Sequence, residues 1–290
     1  MPHTLLRSLA AIGIALIAAC SAVLAQAPAQ EFVPEVGQDG KDVVWVPTAH
    51  TLVEKMLDMA DVKSGDYLID LGSGDGRTVI AAAKRGAKAL GIEYNPKMVE
   101  LAKRNAAREG VADRASFVQG DIFASDFSKA SVLTLFLLPQ INLQLMPLIL
   151  NMKPGTRVVS NSFDMGSWKP DAMAEVTRDC KTYCKALLWI VPARVEGDWQ
   201  LLLAGETLAP DYLLKLEQTR QTVSGDLVGG PHAIIRVTGS LKGNEITFTD
   251  TDEPHKVEFK GEVKGDRMEG SSTTLGKPSW RWTATRKKAP

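Results

Sequence analysis

The chain has 290 residues, enough for two modest domains, and its 34 Lys and Arg balance its 34 Asp and Glu. A formal net charge of zero excludes retention on nucleic acid by bulk electrostatics, so no nucleic-acid partner is expected. Apolar content of 44% is that of an ordinary globular fold, and four scattered histidines (His3, His50, His232, His255), with no Cys/His cluster at metal-ligand spacing, predict no metal site.

From the N-terminus, Arg7 closes a short basic region and Ser8 to Ala25 carries no charge. Val23-Leu24-Ala25 and Ala25-Gln26-Ala27 each place small residues ahead of a cut, the second with Pro28 following it. Residues 1–27 therefore read as a secretory signal. Ile17-Ala18-Ala19-Cys20 also resembles a bacterial lipoprotein box, although the apolar run continues past Cys20. An uncleaved anchor would still leave the remainder outside the cytoplasm by the positive-inside rule. The expectation is an exported protein, periplasmic or envelope-associated. Membrane contact is expected only through this segment or a lipidated Cys20.

Residues 28–42 are polar and rich in Pro, Gly and Gln, the texture of a linker. Helical spacing of Leu52, Val53, Met56, Leu57 and Ala60 begins after Pro47-Thr48, with Thr48 placed to cap. Strand 66–71 then runs into Asp70-Leu71-Gly72-Ser73-Gly74-Asp75-Gly76 and a helix over 77–86. A strand ending in an acid, a glycine turn and a helix start make a nucleotide-type crossover. Glycine is needed there because the turn uses backbone angles that side chains resist, and because a ligand lies against the main chain. The pattern is acid-x-G-x-G-x-G. Arg77 stands where a dinucleotide motif has its third glycine, and no Lys-Ser/Thr follows to make a P-loop.

A second buried strand, 88–93, ends at Glu93, roughly 20 residues past the loop, where an acid can accept bonds from both ribose hydroxyls. Asn95-Pro96 opens a helix over 96–109 that stops at Gly110. Strand 115–120 ends at Asp121. A fourth, fully apolar strand (131–138) leads to a helix over 140–152, and a fifth strand covers 157–162. This alternation predicts a mostly parallel sheet with helices on both faces and a ligand over the strands' carboxyl ends. Two strand-like runs, 175–178 and 185–192, flank Cys180 and Cys184. Along one extended strand these cysteines would stand more than about 10 Å apart. Across a three-residue hairpin loop they fall within disulfide range.

Past about Arg194 no helical pattern survives. Short alternating runs, such as Trp199-Leu201-Leu203 and Trp280-Trp282-Ala284, are separated by Gly, Asp, Asn and Pro. Gly239 to Asn244 is echoed by Gly261 to Asp266. This predicts a meander of seven or eight strands closing into a small barrel or half-barrel over 194–290, with Trp280 and Trp282 in its core. Its texture resembles lipocalin-like β modules.

The acid-x-G-x-G-x-G loop, with acids at three successive strand tips, resembles motif I and its neighbours in class I S-adenosyl-L-methionine (SAM) methyltransferases. Four further segments narrow the resemblance: Trp45-Val46-Pro47-Thr48, Asp70 to Thr78, Leu138-Pro139-Gln140, and Arg157 to Asp171 with Phe163 and Trp168-Lys-Pro-Asp171. Residues 45–170 are similar to the lysine methyltransferase family that includes the ATP synthase c-subunit lysine N-methyltransferase. The resemblance implies a Rossmann-like, doubly wound α/β domain over 43–193, SAM as cofactor and a protein lysine as acceptor. By resemblance, Asp70, Gly72, Ser73, Gly74, Asp75 and Gly76 shape the cofactor loop. Glu93 holds the ribose, Asp121 the adenine, and Val46, Pro47 and Thr48 close over the methionine end. Leu138, Pro139 and Gln140 would line the acceptor channel, with Leu135 and Phe136 as apolar wall. No residue is assigned as a catalytic base, because the sulfonium is already a good leaving group. An exported chain has no evident SAM supply, so two other readings stay open: a domain for another nucleoside-like ligand, and an exported non-catalytic binding or scaffold protein whose β module is the functional part.

Overall fold

The computed structural model describes residues 31–204, 212–229, 233–250, 256–274 and 279–287. The signal segment, with Cys20, lies outside the described residues, as do His3, His232 and His255. Among the described residues no helix is long and apolar enough to cross a membrane, and no cluster of His, Cys, Asp and Glu suits a metal ion.

The α/β part follows the expected alternation. In chain order come helix α1 (His50–Met59), strand β1 (Tyr67–Leu71), α2 (Arg77–Lys84), β2 (Lys88–Glu93), α3 (Pro96–Arg108), β3 (Ala115–Gln119), β4 (Val132–Leu135), α4 (Pro139–Leu150), β5 (Arg157–Asn161), β6 (Ala172–Glu175) and β7 (Lys185–Ile190). The sheet order is β3-β2-β1-β4-β5-β7-β6. The first five strands are parallel, and β7 is antiparallel to both β5 and β6. The order reverses between β1 and β4, so their crossovers leave in opposite directions and open a crevice over their carboxyl ends. One apolar core packs α1, α2 and α3 on one face. The other face holds α4 with Trp168 and Trp189, whose Nε1 donates to the Trp168 carbonyl at 2.8 Å.

Several boundaries differ from the sequence reading. Thr48 does not cap α1; Ala49 does, without a side-chain bond. The Thr48 hydroxyl instead turns inward and accepts from Asn161 Nδ2 at 3.2 Å, at the end of β5. Strand β4 stops at Leu135 because its pairing with β5 ends there, so Phe136 to Leu138 leave the sheet and Pro139 starts α4. The strand expected at 175–178 forms three residues earlier, as β6, and the one expected at 185–192 ends at Ile190. Nine residues separate β6 from β7, and the Cys180–Cys184 disulfide (Cα–Cα 5.8 Å) closes a small ring inside that loop rather than across a tight hairpin.

Eight further strands follow: β8 (Gly197–Leu203), β9 (Tyr212–Thr219), β10 (Thr222–Gly229), β11 (Ala233–Lys242), β12 (Glu245–Asp250), β13 (Val257–Lys264), β14 (Arg267–Thr274) and β15 (Trp280–Arg286). Each pairs antiparallel with its neighbours, and β15 pairs back on β8, closing a barrel without free edges. The echoed motifs are its two-residue turns: Gly243 and Gly265 take φ of 60° and 62° at the first turn position, as such hairpins require. The interior is filled by Trp199, Phe248, Phe259 and Trp282, with the two phenylalanine rings stacked at 4.6 Å. Trp282 is in the core as expected; Trp280 is not, being 41% exposed near the start of its strand. Sheet and barrel belong to one unit of the chain. They meet where Ala193 N–H donates to the Gly243 carbonyl and Gln221 Nε2 to the Lys169 carbonyl.

Candidate cofactor and acceptor site

The crevice holds a cavity of about 370 Å³, within the range of small-molecule sites. The glycine loop forms its floor. Gly72 and Ser73 donate backbone N–H bonds to the Ile92 carbonyl, tying the loop to β2. Gly72 and Gly74 have φ of 77° and 53°, a region that favours glycine. The indole of Trp45 lies over the loop, so a Cβ on Gly74 would meet its Nε1 at 2.7 Å. Gly76 (φ 84°) serves packing rather than the cavity. It sits outside the wall, and its missing side chain makes room for the Phe117 ring and Ala102.

The three strand-tip acids converge on the cavity in different states. Asp70 is 7% exposed, and burial pushes its pKa up to about 7. The Thr134 hydroxyl, donating to Oδ1 at 2.6 Å, opposes this rise, while Glu93 and Asp75 add to it. Glu93 accepts from Gly74 N–H through Oε2 (3.0 Å) and from Asn95 N–H through Oε1 (2.9 Å). Each oxygen keeps acceptor capacity for a diol. Asp121 accepts from Phe123 N–H and from Lys41 Nζ, and the Lys41 bond draws its pKa below the ordinary carboxylate value.

Asp75 is held by Arg77, whose Nη1 also donates to the Thr48 carbonyl at 2.8 Å. That bridge fixes Val46, Pro47 and Thr48 against the loop, and all three line the cavity. Sequence reasoning marks Arg77 only as a missing glycine. It also assigns residues up to 42 to a linker, whereas Gly37 N–H donates to the Trp45 carbonyl and Trp45 N–H to that of Gln38. Residues 38–45 therefore fold into a strap forming one cavity wall.

On the acceptor side, Leu138 lines the cavity and is 41% exposed at its mouth. Pro139 and Gln140 do not line it. They occupy the first turn of α4, where helical spacing turns Ile141 inward instead. Leu135, Phe136 and Leu137 complete the wall, and Phe163 and Tyr183, not assigned from sequence, join it.

SAM fits this arrangement. The loop presents bare backbone at Gly72 and Gly74, and Glu93 and Asp121 offer acceptors on the same cavity.

Comparison with known proteins agrees with the geometry. Residues 70–172 match the model of the ANTKMT methyltransferase domain family. A protein-lysine N-methyltransferase of Saccharolobus islandicus is 44% identical over 137 residues, which cover 46% of this chain and 85% of that protein. The human ATP synthase c-subunit lysine N-methyltransferase is 39% identical over 128 residues, 44% of this chain and 54% of that protein. The chain thus spans about half the length of the human relative. A solved RNA methyltransferase from Salinibacter ruber, in complex with S-adenosyl-L-homocysteine, shares 45% identity over 52% of this chain and 96% of that chain, with a TM-score of 0.49.

Proposed function

We propose, for a chain that belongs to the protein-lysine N-methyltransferase family, that it transfers methyl groups from SAM to the side-chain amine of a protein lysine. The observation that carries this reading is one cavity uniting Asp70, the glycine loop, Glu93 and Asp121 with the apolar mouth of Phe136 and Leu138. Glu93 takes the ribose hydroxyls, Asp121 the adenine amino group, and the Val46-Pro47-Thr48 segment covers the methionine end.

SAM supplies an electrophilic methyl on a sulfonium that departs as a neutral thioether, so the protein need not protonate a leaving group. The acceptor lysine must present a free electron pair and so loses a proton to water first, from a reference pKa of about 10.4. The buried Leu135 and Leu137 form a poorly solvated wall that disfavours the charged amine. Positioning and exclusion of water carry the rate. The amine nitrogen forms the new N–C bond as the S–C bond breaks.

The packed barrel interior does not favour a reading in which that module holds an apolar ligand. Export to the periplasm or envelope is part of the proposal. The uncharged run from Ser8 to Ala25 supports it, as does the Cys180–Cys184 disulfide, a bond that persists in oxidising compartments.

Calorimetry of SAM binding to the oxidised protein, beside Glu93→Ala, tests the reading. Micromolar binding weakened tenfold or more by the substitution, about 1.4 kcal/mol, is expected. Absence of heat from folded protein overturns the enzyme.

A further inference from the structure

Three aromatic rings from three separate segments meet at the cavity mouth. Phe136 follows β4, Phe163 follows β5, and Tyr183 comes from the disulfide-closed loop before β7. Their centroids lie 6.1 Å (Phe136–Phe163), 5.4 Å (Phe136–Tyr183) and 5.5 Å (Phe163–Tyr183) apart. At these spacings the rings touch, so they form one continuous wall rather than an open cage. All three line the same cavity as the glycine loop. None is fully buried, and Tyr183 is 44% exposed.

Phe163 and Tyr183 are held in place by their backbone. The Phe163 carbonyl accepts from Ser160 Oγ at 2.7 Å and from the buried Asn142 Nδ2 at 3.2 Å. Tyr183 has φ of 56°, a conformation few non-glycine residues adopt. It stands inside the ring closed by Cys180 and Cys184, whose far end is tied by Val176 N–H to the Cys184 carbonyl at 2.9 Å. A four-residue separation leaves the loop little freedom once the bond is made. The match to the family model ends at residue 172, ahead of this loop.

We propose that Phe136, Phe163 and Tyr183 form an aromatic wall that selects the methyl acceptor as an alkylammonium, with the Cys180–Cys184 disulfide holding Tyr183 in it. This rests on the methyltransferase reading of the same cavity. Ring faces attract a cation within about 6 Å of the centroid. Each methyl on the nitrogen removes a donor to water, lowers the cost of leaving solvent and favours the ring face further. The wall therefore guides the charged side chain at the open mouth. The drier Leu135 and Leu137 side chains deeper in the cavity receive the neutral amine. Tyr183 is a specificity-determining residue, and its place depends on an oxidised loop.

The test uses two probes on oxidised full-length protein, with and without saturating S-adenosyl-L-homocysteine: Nα-acetyl-Nε-trimethyl-lysine methylamide, and its neutral analogue with a tert-butyl group replacing trimethylammonium. Titrations follow the ring-current shift of the probe methyl protons. The cationic probe is expected to bind at least about fivefold tighter than the neutral one. Tyr183→Ala should erase that preference and Tyr183→Phe should keep it. The Cys180→Ser/Cys184→Ser double variant should behave like Tyr183→Ala. Affinity for S-adenosyl-L-homocysteine by calorimetry should stay within about twofold in all variants. Equal binding of the two probes, or an unchanged preference in Tyr183→Ala, overturns the wall. Failure of wild type to bind S-adenosyl-L-homocysteine overturns the methyltransferase reading instead, and the probe titrations without it still judge the rings.

Discussion

Lys41 Nζ lies 2.7 Å from Asp121 Oδ2 and 5.3 Å from the Tyr94 ring centroid, tying the strap ahead of α1 across the tips of β2 and β3. The pair bridges 80 residues of sequence. Both side chains are about one-third exposed, so the contact is screened by water and salt and matters more as a latch than as a source of stability. Lys41→Met should leave thermal unfolding unchanged and weaken SAM binding by about threefold to tenfold, through faster release. The difference from wild type should shrink between about 0.1 M and about 1 M salt as the pair is screened. Stopped-flow release rates at the two salts check this; equal rates in wild type and variant refute the latch.

Gly74 is squeezed between two demands. Its φ of 53° disfavours a side chain, and the Trp45 indole 2.7 Å from any Cβ leaves no room for one. Gly74→Ala should lower unfolding free energy by about 1–3 kcal/mol, from the left-handed backbone and the displaced indole. It should also weaken SAM binding more than tenfold. Trp45→Ala removes the clash, so the double variant should be less destabilised than the sum of the single changes, with a coupling of about 0.5–2 kcal/mol. Its SAM binding should stay impaired, because the Cβ still occupies the loop surface. Additive denaturation energies would show that the indole does not press on the loop.

What is legible in the chain and what is not divides along the reach of each interaction. The run Tyr67–Leu71, the glycine turn, the Asn95 cap and Glu93 are local: strand alternation, backbone angle and capping chemistry are written within a few residues. The strap is not legible, because residues 37–42 have a linker's composition and are ordered, with the residues that follow, by Trp45 on Gly74 and Lys41 on Asp121, partners far along the chain. Thr48 has the hydroxyl of a cap, but the buried Asn161 claims it. Tyr183 carries no local signal at all; only the packing of Phe136 and Phe163 shows why it faces the cavity. In the barrel, alternation predicts strands, yet the closure of Trp199–Leu203 on Trp282–Arg286 is a long-range pairing that no short window contains.

Asp70 sets a pH dependence. Its folded-state pKa is about 7 against an ordinary 3.8, so the folded chain favours the protonated acid. That contribution is fully present below about pH 4 and is lost as pH rises through 7. Three pKa units correspond to at most about 4 kcal/mol. Asp70→Asn keeps an acceptor for the Thr134 hydroxyl and cannot ionise. Without cofactor it should match wild type near pH 4 and exceed it by about 2–4 kcal/mol near pH 8, measured by denaturant unfolding. A cationic ligand in the cavity favours the ionised acid, so the wild-type affinity for SAM should rise from about pH 5 to pH 8 while the variant's stays flat. Parallel stability curves for the two proteins across this range would mean that Asp70 titrates as an ordinary carboxylate and that its burial is relieved by solvent.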